Sequence, residues 1–340
     1  MSNATAVLLV VLYQLGPAVF LAGWYDMFLG PQLQDFGRLR AEGKGNAKES
    51  VLIVGPWAHG ASGEINYGPD AGMDQVAGPA QTIAWFDRWL QDADNEVKNW
   101  PRVKIFVMGD NVWRDENEWP LARTVYTNYY LHSAGKANTR AGDGALSPAV
   151  PPAGEPSDRF DYDPMNPVPT LGGNNLGLNL HAHDQAKLED RSDVLCYTSP
   201  PLTTDLEVTG PISAVLFAAS DAKDTDFTVM LVDVYPDGKA INIQDGVVRA
   251  MYRLNDPNRP TPLVPGAIEE YQLDLWATAN VFKAGHRLRV EVSSSNFPRF
   301  NRNLNTGEPV TGAYRAVVAH QTIVHDPEHP SHIVLPVIPR

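Results

Sequence analysis

The sequence predicts two architectures in succession: a short α/β segment built on parallel strands, then an all-β sandwich of jelly-roll type. Three observations lead there. A strand, helix, strand pattern occupies Ala18 to Val54, about the length of one βαβ unit. Helical periodicity is strong only up to residue 95. From Arg102 onward, short β-rich runs follow one another without intervening helices, separated by turns rich in the chain's 27 glycines and 28 prolines.

The elements can be justified in order. Val19-Phe20-Leu21-Ala22 is a continuous apolar run, as a parallel strand covered on both faces requires. The longer apolar stretch around it, Ala6 to Ala22, is read as part of a folded core and not as a leader or anchor. No Lys or Arg precedes it, and Gln14, Gly16 and Pro17 interrupt it. After Gly23-Trp24-Tyr25-Asp26, Leu29, Leu33 and Phe36 recur at helical spacing until Gly43 and Gly45 end the helix. Val51-Leu52-Ile53-Val54 forms the next strand and runs into Gly55-Pro56-Trp57-Ala58-His59. Pro79 opens a helix whose apolar face is expected at Ile83, Phe86 and Leu90, with Trp85 and Trp89 beside it. Val103 to Met108, Leu195 to Thr198, Ala214 to Ala218, Phe227 to Val234 and Leu288 to Val292 then read as strands of the sandwich. The Pro- and Gly-rich segment from Gly135 to Asn175 is expected to lie ordered across the surface. These patterns divide the chain into domains at residues 1–98 and 99–340.

Composition narrows the function. A formal net charge of -13 repels phosphate backbones and anionic headgroups, which sets aside nucleic acid and membrane surfaces as partners. The one cysteine, Cys196, cannot form an internal disulfide. Among Val194, Leu195 and Tyr197 it reads as a buried structural thiol, which is compatible with the expected cytoplasmic location and leaves a homo-oligomer open. His320, His325, His329 and His332 are spaced irregularly across Pro327 and Pro330, so no metal site and no cofactor is expected. His181 and His183, in a Gly/Asn-rich loop, read as solvated. Trp85, Trp89, Trp113, Trp119 and Trp276 read as core or inter-domain packing, with a carbohydrate platform as the lesser alternative.

The chemistry rests on Asp26 and His59, each following an adjacent predicted strand. Ligands of an open α/β sheet bind at that strand end, and a carboxylate there can orient an imidazole acting as general base. On spacing alone, an Asp at a strand end is usually a turn or helix cap. The surrounding motifs favour the catalytic role. Gly23-Trp24-Tyr25-Asp26 followed by Phe28, and Gly55-Pro56-Trp57-Ala58-His59-Gly60, resemble the acid and base motifs of the cocaine-esterase-like hydrolases (CocE/NonD), which group with the Xaa-Pro dipeptidyl-peptidases. The resemblance continues through Asn111-Val112-Trp113-Arg114, Pro167-Val168-Pro169-Thr170-Leu171-Gly172-Gly173, Asp205-Leu206-Glu207-Val208-Thr209-Gly210-Pro211 and Ser294-Ser295-Asn296-Phe297-Pro298-Arg299.

The resemblance implies a serine hydrolase acting on ester or amide bonds, of esterase or dipeptidyl-peptidase type. The first segment would be the last strands and helices of an α/β-hydrolase domain, and the second a galactose-binding-like jelly roll. Asp26 and His59 would be two members of a Ser-His-Asp triad. The third is missing from this sequence, which contains no Gly-x-Ser-x-Gly nucleophile elbow; the nearest segment, Gly60-Ala61-Ser62-Gly63-Glu64, lacks the final glycine and lies after the base. Ser62 therefore reads as a turn serine, and this chain alone is expected to be inactive. In the related α-amino-acid ester hydrolases, acidic residues just after the triad Asp hold the substrate ammonium. Here Met27, Phe28 and Leu29 stand there, so a small uncharged acyl ester or amide is the expected substrate, against a wall of Trp24, Tyr25, Phe28 and Trp57. The alternative is a non-catalytic jelly-roll module for binding or assembly.

Overall fold

A computed structural model of the chain describes residues 16–59, 65–177, 180–254, 256, 258–308 and 315–340. The expected run from Ala6 therefore lies largely outside the described residues, and Ser62 lies outside them too.

The first sheet has four strands in the order β1-β2-β3-β4. These are β1 (Val19–Tyr25), β2 (Val51–Ala58), β3 (Val103–Val107) and β4 (Val112–Glu116). The first three run parallel and β4 returns antiparallel to β3. Between β1 and β2 lies α1 (Leu29–Glu42); between β2 and β3 lie the single turn α2 (Asp74–Ala77) and α3 (Pro79–Leu90). Side chains alternate across a strand, and both faces of this sheet are covered. Phe20, Ala22, Leu52 and Val54 pack with Phe36 and Leu39 of α1, whereas Val51 and Ile53 pack with Trp85 of α3. That double cover is why the first two strands read as unbroken apolar runs.

Helix α3 differs from expectation. Ile83, Phe86 and Leu90 are 60%, 53% and 76% exposed, and Trp85 is the residue turned inward. Trp85 and Trp89 stand four residues apart on one face, with ring centroids 5.8 Å apart, and Trp100 stacks on Trp85. Their larger apolar area takes the sheet contact, leaving the Ile83, Phe86 and Leu90 stripe outside.

Eleven further strands among the described residues form the second sheet system: β5 (Val125–His132), β6 (Ala145–Ser147), β7 (Asp158–Tyr162), β8 (Leu195–Thr198), β9 (Leu206–Ser220), β10 (Asp226–Val234), β11 (Ala240–Arg249), β12 (Glu269–Phe282), β13 (Arg287–Ser293), β14 (Ala319–Val324) and β15 (His332–Ile338). They pair as β11-β10-β13-β8-β6-β5-β15-β9-β14-β7, with β12 joined to β9. Leu231, Val290 and Leu195 from one side of this path share a core with Leu216, Leu273 and Ile333 from the other. The architecture is therefore a β sandwich. Cys196 is buried in β8, where desolvation pushes its thiol pKa up.

Two expectations need correction here. Val103 to Met108 was expected to open the sandwich, but β3 pairs in parallel with β2, Leu52 against Val103. The β-rich composition that begins there does not distinguish one sheet from the next. The two sheets share a core: Ala277, Ala279 and Val281 of β12 pack in one cluster with Trp24, Tyr25 and Val103 of the first sheet. The segment Gly135 to Asn175 is no simple surface strap, because it contributes β6 and β7 and buries Asp158 and Asn174.

Candidate active site

The register of β1 on β2 brings the two motifs together. Gly23 pairs with Gly55 and Tyr25 with Ala58, so β2 carries one extra residue between these pairs, a β-bulge. Asp26 and His59 are the residues that immediately follow the two strands. The approach depends on Gly23, where a Cβ would lie 2.2 Å from the Trp57 carbonyl oxygen; within β2, a Cβ on Gly55 would meet the Trp57 ring at 2.3 Å.

His59 Nδ1 lies 3.0 Å from Asp26 Oδ2, while Asp26 Oδ1 accepts from the Phe28 backbone N–H at 2.8 Å. Both carboxylate oxygens are thus engaged. With Nδ1–H donating to the carboxylate, Nε2 of His59 carries the lone pair, and no described residue hydrogen-bonds it. The His59 side chain is 47% exposed and that of Asp26 15%. Phe28, also exposed, sets its ring edge-on to His59 at 5.3 Å. The arrangement orients the imidazole tautomer and leaves Nε2 without a partner among the described residues, which supply no hydroxyl to it.

The four residues expected to form a substrate wall are placed differently. Phe28 stands beside His59. Trp24 and Tyr25, by contrast, have no exposed surface and line nothing. Trp24 packs on Trp119 and donates from Nε1 to Phe106 O at 2.8 Å; Tyr25 stacks on His181 at 4.5 Å and donates to Asn242 O at 3.0 Å. They sit where sheet and sandwich meet, so their bulk fills the junction. Trp57 is half-buried, with its Nε1 on Ala71 O at 2.6 Å and its ring against Trp113.

His181, expected in solvent, is buried, at a backbone φ of 79°. Its Nε2–H donates to Pro56 O at 2.6 Å and its Nδ1 accepts from Ala182 N–H at 2.7 Å. Burial pushes its pKa down to about 4, against the opposing pull of the Pro56 carbonyl, so the ring is neutral at pH 7. Two further groups reach the acid turn from the sandwich. Asn174 Nδ2 donates to Trp24 O and Asp26 O at 2.9 and 3.0 Å, and Gln244 Nε2 to Trp24 O at 2.6 Å. Gly172-Gly173 just before Asn174 was the visible signal of an unusual turn, with φ of 74° and 82°.

The C-terminal histidines are dispersed. His325 is wholly buried and bonded to Asp158, while His320 is exposed beside Asp161. No group of three or more His, Cys, Asp or Glu among the described residues is arranged to hold a metal ion, and no described helix is long and apolar enough to cross a membrane.

Residues 95–334 match the family described as X-Pro dipeptidyl-peptidase C-terminal non-catalytic domain. Asp26 and His59 lie outside that match. The chain is 46% identical over 333 residues to a cocaine esterase of Rhodococcus sp. (strain MB1 Bresler), covering 95% of this chain and 57% of the relative. Among solved structures, an aminopeptidase from a marine-sediment Thaumarchaeota archaeon matches with TM-score 0.80 and 27% identity over 95% of this chain and 55% of its own. An α-amino acid ester hydrolase matches with TM-score 0.80 and 26% identity over 94% of this chain and 55% of its own. The chain thus spans little more than half the length of the relatives it matches.

Proposed function

The chain belongs to the X-Pro dipeptidyl-peptidase C-terminal domain family and is similar to the C-terminal part of cocaine-esterase-like hydrolases, and on that premise we propose that it carries the acid and base of a serine hydrolase whose nucleophile lies outside these 340 residues. The observation that carries this reading is the Asp26–His59 hydrogen bond of 3.0 Å at the ends of two adjacent parallel strands, with Nε2 unpartnered among the described residues. In this reading the first sheet is the end of an α/β-hydrolase domain and the sandwich its jelly-roll partner. The division falls at residues 98/99, with the β3–β4 hairpin pairing back onto the first sheet.

His59 Nε2 would take the proton of the serine hydroxyl as its oxygen attacks the acyl carbon, and Asp26 would stabilise the imidazolium so formed. The proton then passes to the leaving oxygen or nitrogen as the acyl bond breaks. Water, deprotonated by the same ring, releases the acid and restores the serine. Phe28 beside the base supports a small uncharged acyl ester or amide as substrate. Placement in the cytoplasm and association of identical subunits remain part of this proposal.

A second reading, a binding or assembly module without catalysis, draws on the description of residues 95–334 as non-catalytic. Fluorophosphonate labelling separates the two. The chain alone should not be labelled. A chimera carrying the N-terminal part of the Rhodococcus relative that the match leaves uncovered should be labelled on its elbow serine, and the same chimera with His59→Ala far more slowly. A folded chimera that resists the probe, or is labelled equally fast without His59, contradicts the hydrolase reading.

A further inference from the structure

The sandwich holds both motif turns through neutral donors aimed at backbone carbonyls. We propose that Asn174 and His181 are positioning residues that fix Asp26 against His59, a role that rests on the acid–base reading above. Asn174 is buried, and its amide spans the Trp24 and Asp26 carbonyls that flank Tyr25. Its orientation is decided by that geometry, since the flipped amide would set an oxygen against two carbonyl oxygens. The cost is visible at the other end, where Asn174 Oδ1 is buried without a described partner. His181 grips the base strand three residues before His59, at Pro56 O, while its ring stacks on Tyr25 immediately before Asp26.

The two residues act as one bracket. Gly173 N–H donates to His181 O at 2.7 Å and His181 N–H to Gly173 O at 3.3 Å, tying the backbone next to Asn174 to that of His181. A Cβ on Gly172 would lie 2.5 Å from His181 O, so the tie needs glycine there. One side of the bracket therefore holds the acid turn and the other the base strand. Neither brings a charge to the pair at neutral pH. Positional errors near 1 Å cost on the order of a hundredfold in rate, so two buried contacts that set this distance bear on turnover and not on substrate affinity.

Two measurements test this. In the 340-residue chain, ring nitrogen shifts of His59 in ¹⁵N-labelled protein, taken with the ring neutral, report which nitrogen carries the proton. The expected form is Nδ1–H, with Asp26→Asn as the reference for its loss. Asn174→Ala should shift His59 toward a mixture of tautomers while near-ultraviolet circular dichroism stays unchanged. In the active chimera, Asn174→Ala should lower kcat about ten- to a hundredfold with KM within about twofold. His181→Ala should act likewise, and His181→Gln, which keeps an N–H donor, should recover most of the loss. Folded Asn174→Ala protein with an unchanged His59 tautomer and unchanged kcat overturns the proposal, whatever becomes of His181→Ala. A tautomer shift in a chimera whose turnover ignores His59 would instead support the bracket and refute the acid–base reading.

Discussion

At the scale of single residues, the site divides into what neighbours in sequence announce and what they do not. Asp26 and His59 were legible because each sits in a short motif whose glycine answers a local demand: Gly23 the close approach of β1 to β2, and Gly55 the Trp57 ring folded over its own strand. His181 and Asn174 were not, because the carbonyls they bind lie 125 to 150 residues away, and a Gly/Asn-rich loop looks solvated until its partner strand is known. Burial gives His181 a measurable consequence. Its folded pKa, about 4, lies below the unfolded value near 6.5, so the unfolded chain binds a proton that the folded chain refuses. Stability should therefore fall as pH drops from about 6.5 to about 4, with His181 contributing about 3 kcal/mol of that loss. Urea midpoints at pH 7 and pH 4 check this. The difference between them should shrink in His181→Gln, and an undiminished difference would show that His181 is already charged in the folded state.

At the scale of elements, type and order were readable, but partners were less so. The first two strands and α1 appear where apolar runs and helical spacing place them, since covering both faces of a parallel sheet leaves a plain imprint on sequence. Helix α3 was found but its inward face was misjudged. An i, i+3, i+7 stripe and a pair of tryptophans competed, and ring area decided. The assignment of β3 to the first sheet was invisible because strands of either sheet share the same composition. The element on which the site most depends is the β1–β2 bulge. Gly23→Ala should push β1 off the Trp57 carbonyl, lower stability by about 2–3 kcal/mol and weaken the Asp26–His59 contact. Gly37→Ala in α1, where a Cβ meets nothing within 4 Å, should instead be neutral or stabilise by up to about 1 kcal/mol. Denaturant titrations of the pair check both, and equal effects would mean that the strand approach is not limited by glycine.

At the scale of the whole molecule, the sandwich is joined to the first sheet through a common core, with Trp24 and Tyr25 meeting Ala277, Ala279 and Val281. That core explains why Trp24 and Tyr25 are buried while Phe28, exposed, stands edge-on to His59. The sandwich thereby supports a site that its own strands do not contain. The most direct test of that account is the ratio of kcat/KM for p-nitrophenyl acetate between the active chimera and its His59→Ala variant, with the 340-residue chain measured alongside. The account expects a fall of about a thousandfold or more on losing His59, and no His59-dependent turnover in the short chain. A fall of less than about tenfold, or His59-dependent turnover by the short chain itself, would contradict it.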